Sequence, residues 1–384
     1  MKKQAMKQLA RMAFRGVQQV TTLGRDASAV TLHMPPAEAH YLPEVRRRFE
    51  FFMPEVPWST VRIMPSLGWQ DLRPSTTVLT FGVDKGQSSE VLGKLHGGVF
   101  DIDWRTNPQD GWNWIDAASR VAGHAGDLHA ARLRYEDVRA SLRSRGQDKV
   151  YLFGTGPSLE RAATRDWNDG IRIVCNTIVR DQALWHHIDP DLLVAGDGIY
   201  HFGFTEFAHA FRADLVARLQ ESPTPFFVYP AQFDIVVRRF MPVDLHHRLI
   251  PIPVGLGTDV QHCLRRFELP ALGNVLNLLL LPIGCDVARQ VGLWGFDGRA
   301  PADQLFWANS PKQSYAELLP TLQCAHPAFF DHHVPKNDPE KYLRSVHGDV
   351  LENCLRQAEA EGWKFNMLHK SWTPSLATRQ LETA

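Results

Sequence analysis

The sequence predicts an α/β protein, in which a mainly parallel sheet carries helices on both faces and an N-terminal α/β accessory domain precedes it. Short apolar runs alternate with segments of helical periodicity from Lys149 onward, which is typical of a parallel sheet. A glycine-rich turn at 154–158 follows the first run, and later runs end in the polar residues Asn176 and Asp297. Because the carboxyl ends of parallel strands meet at one edge, we expect a Rossmann-like nucleotide crevice there.

The individual elements follow from length and periodicity. Short runs rich in Val, Ile, Leu and Phe predict strands. These strands lie at 60–64, 77–81, 149–153, 171–175, 191–195, 225–229 and 290–294, and a last one begins at Lys364. Apolar residues at helical spacing predict helices near 128–142, 158–164, 178–187, 204–220, 272–284, 312–323 and 339–361. A polar stretch at 143–148 indicates a junction between an accessory α/β domain at 26–147 and a Rossmann-like nucleotide(-sugar)-binding domain at 148–384.

Length and composition narrow the functional class. At 384 residues the chain is longer than one hydrophobic core usually supports, which agrees with two domains. Lys plus Arg and Asp plus Glu number 42 each, so no net charge attracts nucleic acid and we expect no nucleic-acid partner. The five cysteines form no Cys-x-x-Cys pair, so neither a disulfide framework nor a zinc ribbon is indicated and the cytoplasm fits best. An oligomer is compatible with the sequence.

Residues 1–25 predict a basic amphipathic helix. They carry six Lys and Arg residues and no acid before Asp26, while apolar residues recur at helical spacing. Two interpretations stay open: packing on its own domain, or peripheral docking on the anionic inner face of a membrane. The helix lacks the continuous apolar stretch of a secretory signal. The longest mainly apolar run elsewhere, 275–283, is too short to span a bilayer.

The glycine-rich turn at 154–158 is of the kind that aims backbone N–H groups at an anion, usually a phosphate. Pro157 presets the first helical turn, and Ser158 can cap it or donate to a phosphate. Leu159 replaces the third glycine of a dinucleotide fingerprint, and Asn176 stands where a dehydrogenase needs a carboxylate, so NAD binding is disfavoured. No Gly-Lys-Ser/Thr follows, which excludes a Walker loop. The alternative is a merely tight strand-to-helix turn.

Three motifs together resemble those of a known family. They are Gly-Thr-Gly-Pro-Ser-Leu at 154–159, Cys-Asn at 175–176 and Leu-Trp-Gly-Phe-Asp at 293–297. Motifs similar to these occur in the bacterial sialyltransferases of glycosyltransferase family 42. They are also similar to the central domain of the flagellin-modifying motility accessory factors and to the archaeal hydroxymethylpterin diphosphokinases. The resemblance covers roughly 148–310 and leaves 1–147 unexplained.

The resemblance implies a nucleotide site. In the sialyltransferases the corresponding elements bind a CMP-sugar, so the turn after the first strand would meet the nucleotide phosphate or ribose. Asn176 would hold the nucleotide, and Gly273 is the matching residue of a second turn that the family writes Ser/Thr-Ser-Gly. The residues that the resemblance assigns to the nucleotide are Gly154, Thr155, Gly156, Ser158, Asn176 and Gly273.

The catalytic base departs from the family pattern. The family uses a histidine in a His-Ser-x-Lys-like segment, and Asn309 occupies that position here. An amide cannot accept a proton from a sugar hydroxyl at neutral pH. Histidine is the default group for this task, and His326 is the first candidate substitute. The alternative is that His326 is a packed structural residue. The adjacent pair His332 and His333 lacks the spacing of metal ligands, so we predict no metal site there.

Charged residues near the predicted site offer two further roles. The charge on departing CMP must be offset, and Lys312, Arg299 or Tyr315 could do so. Each is also an ordinary surface or packing residue by type. Asp197 and Asp297 lie at predicted strand ends, where two carboxylates could hold Mg²⁺ against a diphosphate. The alternative is that each carboxylate caps its own loop.

The resemblance leaves three functions open. The first is a sialyltransferase-like glycosyltransferase that moves a sialic-acid-type sugar from a CMP-sugar to a surface glycan, lipid-linked saccharide or protein acceptor. The second is a diphosphotransferase like the pterin kinases, with Mg²⁺ as its cofactor. The third is a non-catalytic nucleotide-binding homologue. Dependence on a divalent ion separates the first two, since the sialyltransferases are metal-independent.

Overall fold

The computed structural model describes most of the chain and confirms the predicted fold class. The described residues are 29–66, 75–83, 98–122, 126–298, 310, 312–333 and 349–381. Two all-parallel sheets, of four and seven strands, are flanked by helices. The predicted basic helix at 1–25, Arg299 and Asn309 lie outside the described residues. Within those residues, none of the helices is long and apolar enough to cross a lipid bilayer.

The accessory segment builds the smaller sheet. Its strands lie in the order β2-β1-β3-β4, and every pair is parallel. They are β1 (Ala29–His33), β2 (Arg62–Met64), β3 (Thr76–Thr80) and β4 (Val99–Asp101), with helices α1 (Leu42–Phe52) and α2 (Asp110–Ala122). The sequence predicted β2 and β3 to within two residues and missed the other elements. β4 has only three residues, too few to show a periodicity.

The larger sheet has the strand order β11-β10-β5-β6-β7-β8-β9. Its strands are β5 (Lys149–Phe153), β6 (Ile171–Cys175), β7 (Leu192–Val194), β8 (Phe226–Pro230), β9 (Leu249–Ile252), β10 (Gln290–Trp294) and β11 (Lys364–Met367). All but β9 start within a residue of the predicted positions. β9 was not predicted because Pro251 lies inside it, and proline is tolerated there because β9 is an edge strand.

Helices cover both faces of the larger sheet. They are α3 (Leu128–Ser144), α4 (Gln182–Ile188), α5 (Glu206–Glu221), α6 (Asp234–Phe240), α7 (Leu281–Val287), α8 (Leu319–Ala325), α9 (Pro327–His333), α10 (Asp349–Ala360) and α11 (Pro374–Ala377). The helix predicted at 158–164 is a 3₁₀ helix, Pro157–Thr164. Another 3₁₀ helix, Asn176–Arg180, precedes α4, and a π turn, Leu276–Leu280, precedes α7.

Strand β5 lies between two apolar cores. Val150 and Leu152 belong to the core that α3, α7 and α10 cover, whereas Tyr151 and Phe153 belong to a second core on the opposite face. The second core includes α4, α5 and the apolar residues of the smaller sheet, so it joins the two sheets. Helix α3 precedes the predicted boundary at residue 148 and packs on β9 and α7 of the larger sheet.

The strand order reverses at β5. The chain proceeds from β5 to β9 toward one edge and then returns to place β10 on the other side of β5. In open parallel sheets, ligands bind outside the carboxyl ends of the strands at such a reversal. The turns after β5 and β10, together with the neighbouring ends of β6 and β7, are therefore the expected location of a site.

Replacing Leu152 by Ala should lower the free energy of unfolding by about 2–5 kcal/mol. Leu152 is fully buried in the interior strand β5 and packs against Gly284 of α7, so truncation leaves a cavity. Urea unfolding followed by circular dichroism measures the change. Leu133→Ala is the control, because Leu133 is 48% exposed and should change the same quantity by less than about 0.5 kcal/mol. Equal effects of the two variants would contradict the packing of β5 against α7.

Candidate functional site

Backbone hydrogen bonds join the turn after β5 to the turn after β10. The Gly154 N–H donates to the carbonyl of Trp294 at 2.7 Å, and the Gly156 N–H donates to the carbonyl of Gly295 at 2.8 Å. Gly295 has a φ of 80°, in the left-handed region that favours glycine. A Cβ atom on Gly156 would lie 2.7 Å from the Gly295 carbonyl oxygen. The two turns can therefore approach this closely only because both contain glycine.

Ser158, the predicted phosphate contact, is bonded to Asp297. The Ser158 N–H donates to Oδ1 of Asp297 at 3.1 Å, and the Ser158 hydroxyl donates to Oδ2 at 2.8 Å. The Asp297 carboxylate therefore occupies the position, at the start of the 3₁₀ helix, that the sequence assigned to an anionic ligand. The structure brings these two predicted residues together as partners of each other.

His369, which was not predicted, completes the Ser158–Asp297–His369 cluster. Its Nε2 atom lies 2.8 Å from the Ser158 hydroxyl oxygen and accepts the N–H of Gly295 at 2.9 Å. Its Nδ1 atom lies 2.8 Å from the carbonyl of Lys370 and so carries the proton. Burial lowers the pKa of His369, although the carboxylate of Asp297 opposes the shift. A neutral imidazole thus bonds the segment after β11 to the turn after β10 and contacts Ser158 of the turn after β5.

The segment after β11 covers the crevice between β5 and β10. The Trp372 N–H donates to the carbonyl of Asp297 at 2.7 Å, and the Ser371 hydroxyl donates to the carbonyl of Phe296 at 2.7 Å. The chain's own residues therefore occupy the reversal point of the sheet. Of the other predicted nucleotide contacts, Asn176 and Asp197 lie after β6 and β7.

Asn176 lies where the sequence predicted, at the carboxyl end of β6. Its φ of 53° falls in the left-handed region, which Asn adopts more readily than most residues. The side-chain oxygen is buried and has no hydrogen-bond partner among the described residues. Leaving such an acceptor unpaired costs about 1–3 kcal/mol. Asn176 therefore marks a position where a ligand donor would be stabilising.

Asp197 follows the next strand, β7. One carboxylate oxygen accepts the N–H groups of Ile199 and Tyr200, both at 2.7 Å, so Asp197 caps its own turn. Burial raises the pKa of Asp197, while these two hydrogen bonds and the nearby His326 oppose the rise. The described parts of the chain contain no group of three or more His, Cys, Asp or Glu residues that could hold a metal ion.

His326, the candidate base, is buried and bonded to a carboxylate. Its Nδ1 atom lies 2.9 Å from both side-chain oxygens of Asp110, the first residue of α2. The exposed fraction is 1% for His326 and 0% for Asp110. The Nε2 atom of His326 is buried and has no partner within the described chain. A Cβ atom on Gly111, next to Asp110, would lie 2.7 Å from the side chain of Ile199 in the turn after β7, so the pair lies beside the end of that strand.

Arg48 of α1 supports this pair. One guanidinium nitrogen donates to Asp110 at 3.3 Å, and another donates to the carbonyl of Ala325 at 2.8 Å. The guanidinium carbon lies 3.8 Å from the ring centroid of Trp104 and 4.4 Å from that of Phe204. Burial lowers the pKa of Arg48, and the carboxylate of Asp110 opposes this shift. The accessory segment therefore reaches the carboxyl edge of the larger sheet.

Sequence reasoning proposed His326 but missed the rest of the Arg48–Asp110–His326 cluster. His326 and Asp110 are separated by 216 positions, so no local motif links them. Arg48 is the last of three consecutive arginines in an exposed-looking stretch of α1. The contact is a product of how the two sheets pack.

Four other predicted residues have different surroundings. Tyr315 is buried and donates its hydroxyl to Asp214 at 2.5 Å, and its pKa is raised by burial and by that carboxylate. Lys312 and Gly273 are exposed. The carbonyl of Thr155 accepts the N–H of Ser310 at 3.0 Å. These observations do not assign a ligand to any of the four.

Comparison of the chain with protein-family models, with curated proteins and with solved structures finds no match. The resemblance of the three motifs to the sialyltransferases therefore stays a prediction. The geometry of the carboxyl edge is the basis for a functional inference.

Replacing Ser158 by Ala should lower the free energy of unfolding by about 1–3 kcal/mol, because the Asp297 carboxylate loses the hydroxyl that donates to it. Thermal or urea unfolding measures the change. Ser141→Ala on α3 is the control, since Ser141 is exposed. No difference between the two variants would show that the Ser158 hydroxyl does not hold the cluster together.

His201, in the turn after Asp197, should make the fold acid-sensitive. Burial lowers its pKa from the ordinary 6.5 to about 3. Between these values the unfolded chain binds a proton that the folded chain does not, so stability falls as the pH falls, by up to about 1.4 kcal/mol per unit. His201→Gln should show a shallower decline between pH 6 and 4 in urea unfolding. The exposed His129→Gln should follow the wild type, and parallel profiles for all three proteins would contradict the prediction.

Proposed function

We propose that the chain is a sialyltransferase-like glycosyltransferase that transfers a sialic-acid-type sugar from a CMP-sugar to a surface glycan or protein acceptor. The observation that carries the proposal is the unpaired, buried side-chain oxygen of Asn176 at the carboxyl edge of a parallel sheet. Ligands of such sheets bind at this edge. An acceptor without a donor there favours a ligand that brings N–H or O–H groups. A cytidine nucleotide brings both, in its amino group and its ribose hydroxyls.

The neighbourhood of Asn176 supports a nucleotide. Strands β5 and β7 flank β6, and adjacent strands lie about 4.8 Å apart. The glycine-rich turn and Asp197 are therefore close to Asn176, one on each side. The resemblance of the motifs at 154–159 and 175–176 favours cytidine among the nucleotides. Under this proposal the enzyme works in the cytoplasm, on an acceptor made at the inner face of the membrane.

The donor phosphate competes with Asp297 for the N–H group of Ser158. That group already donates to the carboxylate at 3.1 Å, and two anions at one donor repel each other strongly. Nucleotide binding therefore releases the Asp297 carboxylate. Removing its charge by Asp297→Asn should make phosphate binding easier.

Calorimetric titration with CMP, CDP, UDP, GDP and ATP, each with and without Mg²⁺, tests the proposal. We expect CMP to bind without metal and Asn176→Ala to weaken it about tenfold or more, because one buried hydrogen bond is lost. Asn168→Ala is the control, since Asn168 is exposed and its oxygen already accepts from Arg172. Asp297→Asn should bind CMP more tightly than the wild type.

The same titrations separate the alternatives. A complete lack of affinity for cytidine nucleotides would falsify the proposal. Triphosphate binding that requires Mg²⁺ would favour the diphosphotransferase. No response to any nucleotide would favour a non-catalytic protein.

A further inference from the structure

The Arg48–Asp110–His326 cluster places two residues of the accessory segment next to the candidate general base. We infer that Asp110 is a positioning residue that holds His326 as the general base for the acceptor hydroxyl. The inference rests on the proposed function, because it names the group that takes the proton during transfer. It adds two residues of the accessory segment, Arg48 and Asp110, to a site otherwise built by the larger sheet.

The contact with Asp110 sets the tautomer of His326. A carboxylate oxygen can only accept a hydrogen bond, and both oxygens of Asp110 lie 2.9 Å from Nδ1. The Nδ1 atom therefore carries the proton, and the lone pair of the neutral ring is on Nε2. A general base needs this lone pair. Without the carboxylate, nothing in the contacts of His326 would select this tautomer among the described residues.

Two features hold the Asp110 carboxylate in place. Asp110 is the first residue of α2, a helix of 13 residues, whose N-terminus favours a negative charge. Arg48 donates to Asp110 and also to the carbonyl of Ala325, directly before His326. One guanidinium thus fixes both the carboxylate and the backbone that carries the imidazole. Because Arg48 is stacked against Trp104 and Phe204, it has little freedom to move.

The Asp110–His326 pair lies beside the nucleotide strands. A Cβ atom on Gly111, next to Asp110, would lie 2.7 Å from the side chain of Ile199, in the turn after β7, and the Nε2 atom of His326 is buried without a partner among the described residues. Half-buried Trp112 lies against the same turn, 3.2 Å from the position of a Cβ atom on Gly198. An aromatic face suits the apolar face of a sugar. The lone pair is covered in this structure, so acceptor binding has to open a path to it.

In the transfer step, His326 takes up the proton that the acceptor hydroxyl loses. The acceptor oxygen forms a bond to the anomeric carbon, and the bond from that carbon to the phosphate oxygen breaks. The electron pair of the broken bond leaves with CMP, and the acceptor proton moves to Nε2 of His326. The resulting imidazolium is hydrogen-bonded to the carboxylate of Asp110, which stabilises its charge. Direct displacement inverts the anomeric configuration.

The test compares the wild type with Asp110→Asn, with CMP-N-acetylneuraminic acid as donor and lactose as acceptor. We expect CMP release to slow about 10²–10⁴-fold, because the amide turns an N–H toward Nδ1 and moves the ring proton to Nε2. The KM for the donor should stay the same, since Asp110 contacts the imidazole and not the nucleotide. ¹⁵N NMR of histidine-labelled protein should show the Nδ1–H form of His326 in the wild type and the Nε2–H form in Asp110→Asn.

Three further variants complete the test. His326→Gln identifies the His326 signals and should slow release as much as Asp110→Asn, and the double variant should slow it no further. Asp137→Asn, an exposed carboxylate on α3, should leave the rate unchanged. If Asp110→Asn fails to fold, Arg48→Lys is the second variant. Lysine keeps the positive charge but cannot donate to both Asp110 and the carbonyl of Ala325 as the guanidinium does. This variant should slow release about tenfold and broaden or shift the His326 signals.

Two outcomes would overturn the role of Asp110. One is an Nε2–H tautomer of His326 in the wild type. The other is an unchanged rate in Asp110→Asn while CMP still binds. Failure of the proposed function has a different signature: the wild type neither binds cytidine nucleotides nor releases CMP, and the general-base role then fails with it.

Discussion

The pairing of β5 with β10 determines how the two glycine turns, and the polar groups they carry, meet at the carboxyl edge. The two strands pair over five positions, from Lys149 opposite Gln290 to Phe153 opposite Trp294. This register places the two glycine turns side by side, so that Asp297 reaches Ser158. A slip by one residue would move Val291 and Leu293 of β10 to the opposite face of the sheet and would separate these side chains. The register is therefore specified both by the apolar cores and by the turns.

Burial of Arg48 adds little to stability by itself. Its lowered pKa reflects a desolvation penalty that its partners do not fully offset, and buried ion pairs are in general no more stabilising than well-packed apolar groups. A methionine or leucine would fill the space between Trp104 and Phe204 as well. The presence of an arginine here is better explained by its two hydrogen bonds, which orient Asp110 and the backbone directly before His326. In this way the smaller sheet, which shares no strand with the larger one, contributes to the geometry of the larger sheet's carboxyl edge.

The larger sheet was predictable because its strands are buried on both faces. Such strands are continuous apolar runs, and the residues that end them, Gly154, Asn176 and Asp197, are the ones that favour turns. The same logic failed for β9, where Pro251 interrupts the run, and for the short strands of the smaller sheet. The site was half predictable. Asn176 follows from its strand end, whereas the partnership of His326 with a residue 216 positions away depends on tertiary packing alone.

The contact between Ser158 and His369 also has a consequence for the order in which the chain folds during its synthesis. Ser158 and His369 are 211 positions apart, and ribosomes add about 5–20 residues per second. About ten to forty seconds therefore pass between the synthesis of the turn after β5 and the synthesis of His369, which contacts it. Until α7 and β10 have been made, β5 has one face and one edge without their final neighbours. The carboxyl edge is thus the last region to reach its native structure, and it is incompletely folded when chaperones bind the nascent chain.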